Sequence, residues 1–455
     1  MKSSLKAIAA ATVLFAAVGT LSGCASSSTS GSSAHGKTTI VVAIDAGLKK
    51  PAQDAFNAQV KLFEKANPTI TVKSREYTWT GTTFSAELAG GTLPDVFTIP
   101  FTDGRSLIEQ KQVADISSLV KALPYASKFN PAVVKNGEDA SGNIQAVPIA
   151  AYGQALHYNR TLFTKAGLDP DKPPTTWAEV RSDAKAIADK TGEAGYATMT
   201  QSNTGGWILT SAAYALGGRA ETKSGKKFTA TVDTKPFKKA LTDLKTMRWT
   251  DDSMGGNFLY DWNGINQDFA AGKIGMYISG GGNYGSLVSQ NAIKPADYGE
   301  TVVPLEGKDA GALGGGTLAV VSAKADDAAK KASVKWIDFY YMSTLITKSD
   351  AVRDAKTQAA SQQPVGAPQV PVFDQKTYKE TQDWIKSYVN VPVDQMKPYV
   401  SQEFDQAIIP EPASQTQALY GALDPVVQAV LTDKNANVDQ LLSQANTSIQ
   451  QILDK

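Results

Sequence analysis

Residues 37–45 (KTTIVVAID), 52–66 (AQDAFNAQVKLFEKA) and 69–77 (TITVKSREY) read in order as strand, helix and strand. The first run is short and β-branched. In the second, Ala52, Phe56, Val60 and Phe63 recur at helical spacing on one face. In the third, Ile70 and Val72 alternate with polar neighbours. Residues 84–88 open a further helix, and 94–100 (PDVFTIP) read as a buried strand. Strands that alternate with helices predict βαβ units, and so a largely parallel sheet with helices on both sides.

The same grammar resumes downstream. Thr176-x-x-Glu179 is a capping box that opens a helix over 177–190. A helix ending near Phe269, then Gly272, then a strand over 273–279 imply a second α/β lobe. Residues 311–322 (GALGGGTLAVVS) are a glycine loop entering a strand, and 327–341 place Ala329, Ala332, Trp336 and Tyr340 on one helical face, as the chain returns to the first lobe. Residues 362–371 (QQPVGAPQVP) read as a connector. Val438, Leu441, Leu442, Ala445, Ile449 and Ile452 form the apolar stripe of a last helix.

The N-terminus reads as an export signal. Lys2 and Lys6 precede an apolar run over 7–18, and Leu21-Ser22-Gly23-Cys24 forms a lipoprotein cleavage box, so 1–23 is expected to be a signal peptide. The run is shorter than the ~20 residues that cross a bilayer. Cys24, the only cysteine, stands where lipid would be attached, palmitate among it, and the Ser/Thr/Gly-rich 24–36 reads as a flexible tether. The expected location is the extracytoplasmic face of the cell membrane.

Composition narrows the rest. Residues 37–455 exceed the ~250 to 300 at which a single core stops growing, so two domains are expected. With 45 basic and 44 acidic side chains there is no overall field to attract nucleic acid. Seven Trp and sixteen Tyr are a substantial aromatic stock, and several stand in polar or glycine-rich stretches.

Segments 62–72 (LFEKANPTITV), 87–97 (ELAGGTLPDVF), 143–168 (NIQAVPIAAYGQALHYNRTLFTKAGL), 174–180 (PTTWAEV), 269–282 (FAAGKIGMYISGGG), 303–340 and 423–449 carry a resemblance in their order along the chain. The protein resembles the family 1 extracellular solute-binding proteins, the sugar-binding group related to maltose-binding proteins. The resemblance implies a two-lobed periplasmic-binding-protein-like fold of type II, each lobe a mostly parallel sheet flanked by helices, with the ligand cleft between them. Lobe 1 would comprise 37–147 and 306–363, and lobe 2 would comprise 148–305 and 364–455. Crossovers would lie near 146–149, 301–308 and 364–371. It further implies a monomer that binds a sugar and passes it to the permease subunits of an ABC transporter, with no cofactor and no catalysis. Ligand sites of open α/β sheets lie beyond the carboxyl ends of strands, and pockets favour domain interfaces, so general rules point to the same cleft.

A pyranose needs flat aromatic surface for its C–H face and fixed polar groups for its hydroxyls. Candidates in the first lobe are Trp79 and Thr80 in a polar loop, Asp103 in the loop after PDVFTIP, and Asp45 at the end of the first strand. Asp103 reads equally as a helix N-cap, and Trp79 has a core alternative. In the second lobe, Tyr152 stands in the PIAAYGQ crossover that the family places at the cleft wall. Trp207 follows Gly205-Gly206, where relatives aim an aromatic at ligand, and Trp262 follows Asp261, which reads as a cap. Each Trp has a core reading as well. Gly282 and Tyr284 fall where the family has a glycine turn and an aromatic, with Tyr284 offset from the usual position. Gly315, within Gly314-Gly315-Gly316, would admit solute to backbone amides or form a hinge-side turn. The family's late aromatic has no obvious counterpart: residues 409–420 offer Glu411 and Gln415, which argues against a long linear oligosaccharide.

Catalytic readings fare worse. The two histidines, His35 and His157, make a His-based triad untenable, and His157 reads as structural. No HExxH or paired cysteines suggest a metal site. Gly280-x-Gly282-x-x-Gly285 matches a dinucleotide fingerprint formally, but Pro295 interrupts the crossover helix it needs. A secreted glycosidase using two carboxylates is the main rival; a lipoprotein for a non-sugar solute is another.

Overall fold

The computed structural model describes residues 36–225, 227–401 and 407–455. The expected signal peptide, Cys24 and all but the last residue of the tether lie outside the described residues.

Among the described residues the strands are β1 (Thr38–Asp45), β2 (Ile70–Tyr77), β3 (Val96–Pro100), β4 (Val147–Asn159), β5 (Ala194–Tyr196), β6 (Glu221–Ser224), β7 (Lys227–Ala230), β8 (Ile274–Gly280), β9 (Tyr298–Val302), β10 (Ala312–Val321) and β11 (Ile408–Pro410). Nine of them form one sheet in the order β2-β1-β3-β10-β4-β8-β5, with β11 beside β10 and β9 beside β4; β6 and β7 form a separate hairpin. The predicted βαβ grammar holds where the chain crosses over through helices: β1 pairs parallel with β2 and β3, and β5 with β8. The middle of the sheet is antiparallel, because β4 and β10 enter it as long crossings from one half to the other and not as the second strand of a βαβ unit.

β4 explains how two halves are joined. Its first part, from Val147 to Gly153, pairs with β10, and its second part, from Gln154 to Asn159, is paired by β8 on one edge and β9 on the other. Val147 therefore lies in a core with Ile40, Val42, Phe56, Phe63, Val96 and Trp336, whereas Leu156 and Tyr158 lie in a second core with Phe163, Val180, Ile208, Phe237 and Leu419. β10 does the same: Ala312 and Leu313 belong to the second core, Ala319 and Val321 to the first.

Local signals are realised as physical caps. The Thr176 hydroxyl accepts from Glu179 N (3.1 Å) while the Glu179 carboxylate accepts from Thr176 N (3.0 Å). The face predicted for 327–341 packs as a ladder of rings, with Phe63 edge-on to Trp336 at 5.2 Å and Tyr340 stacked on Trp336 at 5.0 Å.

Candidate functional site

A chamber of about 220 Å³ opens where β2, β3 and β4 meet the helices Thr204–Ala215, Trp262–Ala270 and Thr416–Thr432. Trp79, Thr80, Tyr152, Trp207 and Trp262 all line it, together with Thr102, Asn203, Glu411, Gln417 and Tyr420. Five of the predicted residues are thus brought together.

Each is held by its own local structure. Thr80 is the N-cap of the helix Gly81–Gly90, its hydroxyl accepting from Thr83 N at 3.1 Å. Trp79 donates its indole N–H to the Asp103 carboxylate at 3.0 Å. Asp103 is not in a loop and is not the cap: β3 runs straight into the helix Phe101–Glu109, with Pro100 as the flanking residue and Asp103 in the first turn. Proline's fixed φ suits that entry. Asp103 therefore positions Trp79, and burial pushes its carboxyl up to about 6 against the opposing Trp79 hydrogen bond.

On the facing wall, Tyr152 lies in β4 with Trp207 edge-on at 6.4 Å between centroids. The Gln154 amide, oriented to satisfy both neighbours, accepts from the Trp207 indole N–H (3.2 Å) and donates to the Ser279 carbonyl (2.8 Å). Trp207 reaches the chamber because its helix starts abruptly after Ser202 and Asn203, which have φ of 59° and 69°. Asp424, from the helix Thr416–Thr432, holds that start by accepting from Asn203 N (2.7 Å) and Gly206 N (2.9 Å). Trp262 is the first residue of its helix, and Asp261 is the cap the sequence suggested, accepting from Gly264 N at 2.8 Å.

Sequence reasoning left the C-terminal contribution largely unread. Tyr420 lines the chamber and donates to the Glu411 carboxyl at 3.2 Å. Burial pushes Glu411 up to about 8; the Tyr420 hydrogen bond opposes this and the neighbouring Asp103 adds to it. Gln417 donates to the Thr102 hydroxyl (2.8 Å) and accepts from the Asn203 amide (3.0 Å), which ties three elements around the opening. The available signal was the three-residue spacing of Gln417 and Tyr420, which puts both on one helical face.

Two larger chambers flank this one. One of about 750 Å³ shares Thr102, Tyr152 and Glu411 with it and is bordered by Arg105, Gly315 and Asp374. The other, of about 590 Å³, shares Trp79, Trp262 and Asn263 and is bordered by Asp45, Tyr340 and Tyr341. Gly315 and Asp45 thus face the flanking spaces. The glycine at 315 makes room for an aromatic ring: a Cβ there would lie 2.6 Å from the Tyr152 hydroxyl oxygen.

Gly282 and Tyr284 line none of these three spaces. Gly282 N donates to the buried Glu300 carboxylate at 3.0 Å, and Tyr284 is 2% exposed with its ring 4.8 Å from Tyr298. The turn after β8 folds into the second core and takes its aromatic with it. His157 is also internal, its Nδ1 2.9 Å from the Tyr298 hydroxyl, and burial pushes the ring down to about 4.

Comparison with known proteins gives the site its context. The model of the family described as bacterial extracellular solute-binding protein matches residues 43–342. A sn-glycerol-3-phosphate-binding periplasmic protein of Yersinia enterocolitica is 29% identical over 210 residues, covering 45% of this chain and 47% of that protein. The chain thus spans about half the length of this curated relative. Among solved structures, an ABC transporter solute-binding protein of Thermotoga lettingae bound with α-D-tagatose superimposes with a TM-score of 0.73 at 18% identity, covering 92% of this chain and 100% of that one. The GacH receptor of Streptomyces glaucescens gives 0.71 at 22% identity, covering 92% and 99%. The fold is the two-lobed type II fold of periplasmic binding proteins.

Proposed function

The chain belongs to the bacterial extracellular solute-binding protein family, and we propose that it captures a mono- or small oligosaccharide in the aromatic chamber and delivers it intact to an ABC importer. The observation that carries this reading is the convergence of Trp79, Tyr152, Trp207, Trp262 and Tyr420 on one small space edged by Thr80, Asn203, Glu411 and Gln417. Rings supply stacking surface for sugar C–H faces. The amides, hydroxyl and carboxyl supply fixed partners, and each solute hydroxyl left unpaired would cost roughly 1 to 3 kcal/mol, which gives selectivity. Tyr420 adds a late aromatic to the chamber lining, and the two flanking chambers leave room for a solute longer than one ring.

The lobes we assign are 37–147 with 306–363, and 148–305 with 364–455; the two cores threaded by β4 and β10 support a division in two, while Ala312 and Leu313 pack in the second core and Val372 and Phe373 in the first, so these bounds are crossed near 312 and 373. Solute would bind one lobe and bring the other down. Shifting a minor closed form to dominance takes roughly 5 kcal/mol of differential affinity, and micromolar capture supplies about 8 kcal/mol in total. The chain would act as a monomer without cofactor. It would be held at the extracytoplasmic membrane face by lipid on Cys24 after removal of 1–23, and would dock on permease subunits.

A glycosidase reading draws on one observation, the two carboxyls Asp103 and Glu411 near the same chamber. One experiment separates them. A thermal-shift screen of the untethered body against mono-, di- and trisaccharides, with polyol, amino-acid and peptide controls, is expected to give stabilisation by a sugar recovered unchanged. Cleaved product in the same tube would establish the glycosidase, and stabilisation by controls alone would remove the sugar.

A further inference from the structure

The lining of the central chamber has an uneven charge inventory. Its described residues include Asp261 and Glu411, with Asp103 directly behind Trp79, and no lysine or arginine. Arg105 is exposed and borders the flanking chamber beyond Glu411. The helix Thr204–Ala215 starts at the chamber, and an anion could have used its first amides. The Asp424 carboxylate already accepts from Asn203 N and Gly206 N. A phosphate placed there would meet fixed negative charge.

A carboxyl withdrawn from water is either matched by a cation or rests neutral until one arrives. Glu411 accepts from the Tyr420 hydroxyl and is coupled electrostatically to Asp103, Tyr152 and Tyr214, none of which can carry positive charge. Trp79, Tyr152, Trp207, Trp262 and Tyr420 line the remaining volume. Aromatic rings around a carboxyl with no basic partner among the described residues, ready to ionise when a cation enters, are a receptor for a cationic nitrogen. Resting on the reading of this chamber as the solute site, we propose that it selects a hydroxylated solute carrying a quaternary ammonium or protonated amine, and rejects phosphorylated solutes.

Such a ligand would draw Asp103 and Glu411 into their charged forms. Its affinity should therefore rise as pH passes through the raised values of about 6 and about 8 and level off above them. Choline is the cleanest probe, because its charge does not titrate, and 3,3-dimethylbutan-1-ol is its uncharged isostere. Titrated against the untethered body by Trp fluorescence and calorimetry, choline is expected to bind about ten-fold or more tighter than the isostere. The preference should shrink toward pH 5, in the Glu411→Gln variant and in Trp207→Phe. Should Glu411→Gln fail to fold, the pH series on the unsubstituted chain carries the same information. sn-Glycerol 3-phosphate is expected to bind no better than glycerol. Choline binding absent, equal to the isostere, or indifferent to pH would overturn the proposal, as would preferential capture of the phosphate ester. Neutral sugars binding while choline does not would sink the cation preference and leave the sugar-capture reading standing; choline binding without any sugar would do the reverse.

Discussion

Replacing Trp79 with alanine is expected to weaken solute binding by about 2 kcal/mol or more, roughly thirty-fold in Kd, with only a small loss of stability. The ring is half-buried: one face packs on the small cluster around Tyr77, Phe84 and Phe97, and it also lines both the central chamber and one flanking chamber. A fully buried Trp truncated to alanine costs about 3 to 5 kcal/mol of folding; Trp79, wet on one side, should cost well under that. Its hydrogen bond to Asp103 adds a second loss, because the carboxyl would keep its buried position without its indole donor. Calorimetric titration beside a denaturant melt separates the two effects. Unchanged affinity would remove Trp79 from the site, and a collapse of stability would return it to the core.

Gly206→Ala should lower stability by about 1 to 3 kcal/mol and impair binding at the same time. A Cβ at this position would lie 2.1 Å from the Tyr420 carbonyl oxygen and 2.6 Å from the Tyr420 Cα, so the helices Thr204–Ala215 and Thr416–Thr432 touch backbone to backbone. No rotamer relieves that contact. The helices must separate, which moves Trp207 and Tyr420 apart and stretches the bonds from Asn203 and Gly206 to Asp424. Gly285→Ala is the matched control: it lies in the helix Tyr284–Asn291 with nothing within 4 Å of its added Cβ, and should be neutral or stabilising by up to about 1 kcal/mol. Equal melts for the two variants would mean that the helices are not in close contact.

The fold was legible where its signals are local. Strand, helix and strand over residues 37–77, the Thr176–Glu179 box and the Asp261 cap each need only a few neighbouring residues to be read. The antiparallel centre was not legible, because β4 and β10 find each other across a long intervening stretch of chain, with Gly153 opposite Gly314, and nothing in either run encodes the partner's direction. In the site, Trp79, Tyr152, Trp207 and Trp262 stood out as aromatics in polar or glycine-rich surroundings, and they meet in one chamber. The same signal misled at Tyr284, whose helix turns it toward Tyr298. Asp103 looked like a loop residue because the strand-to-helix junction at Pro100 leaves no loop to see. Glu411, Gln417 and Tyr420 lie on a segment whose role depends on where it returns in space.

Solute-driven closure of two lobes is tested most directly by small-angle scattering of the untethered body, with and without a saturating solute identified in the sugar screen. A smaller radius of gyration in the bound state, with the solute recovered intact, is expected. An unchanged scattering curve at full occupancy would contradict it.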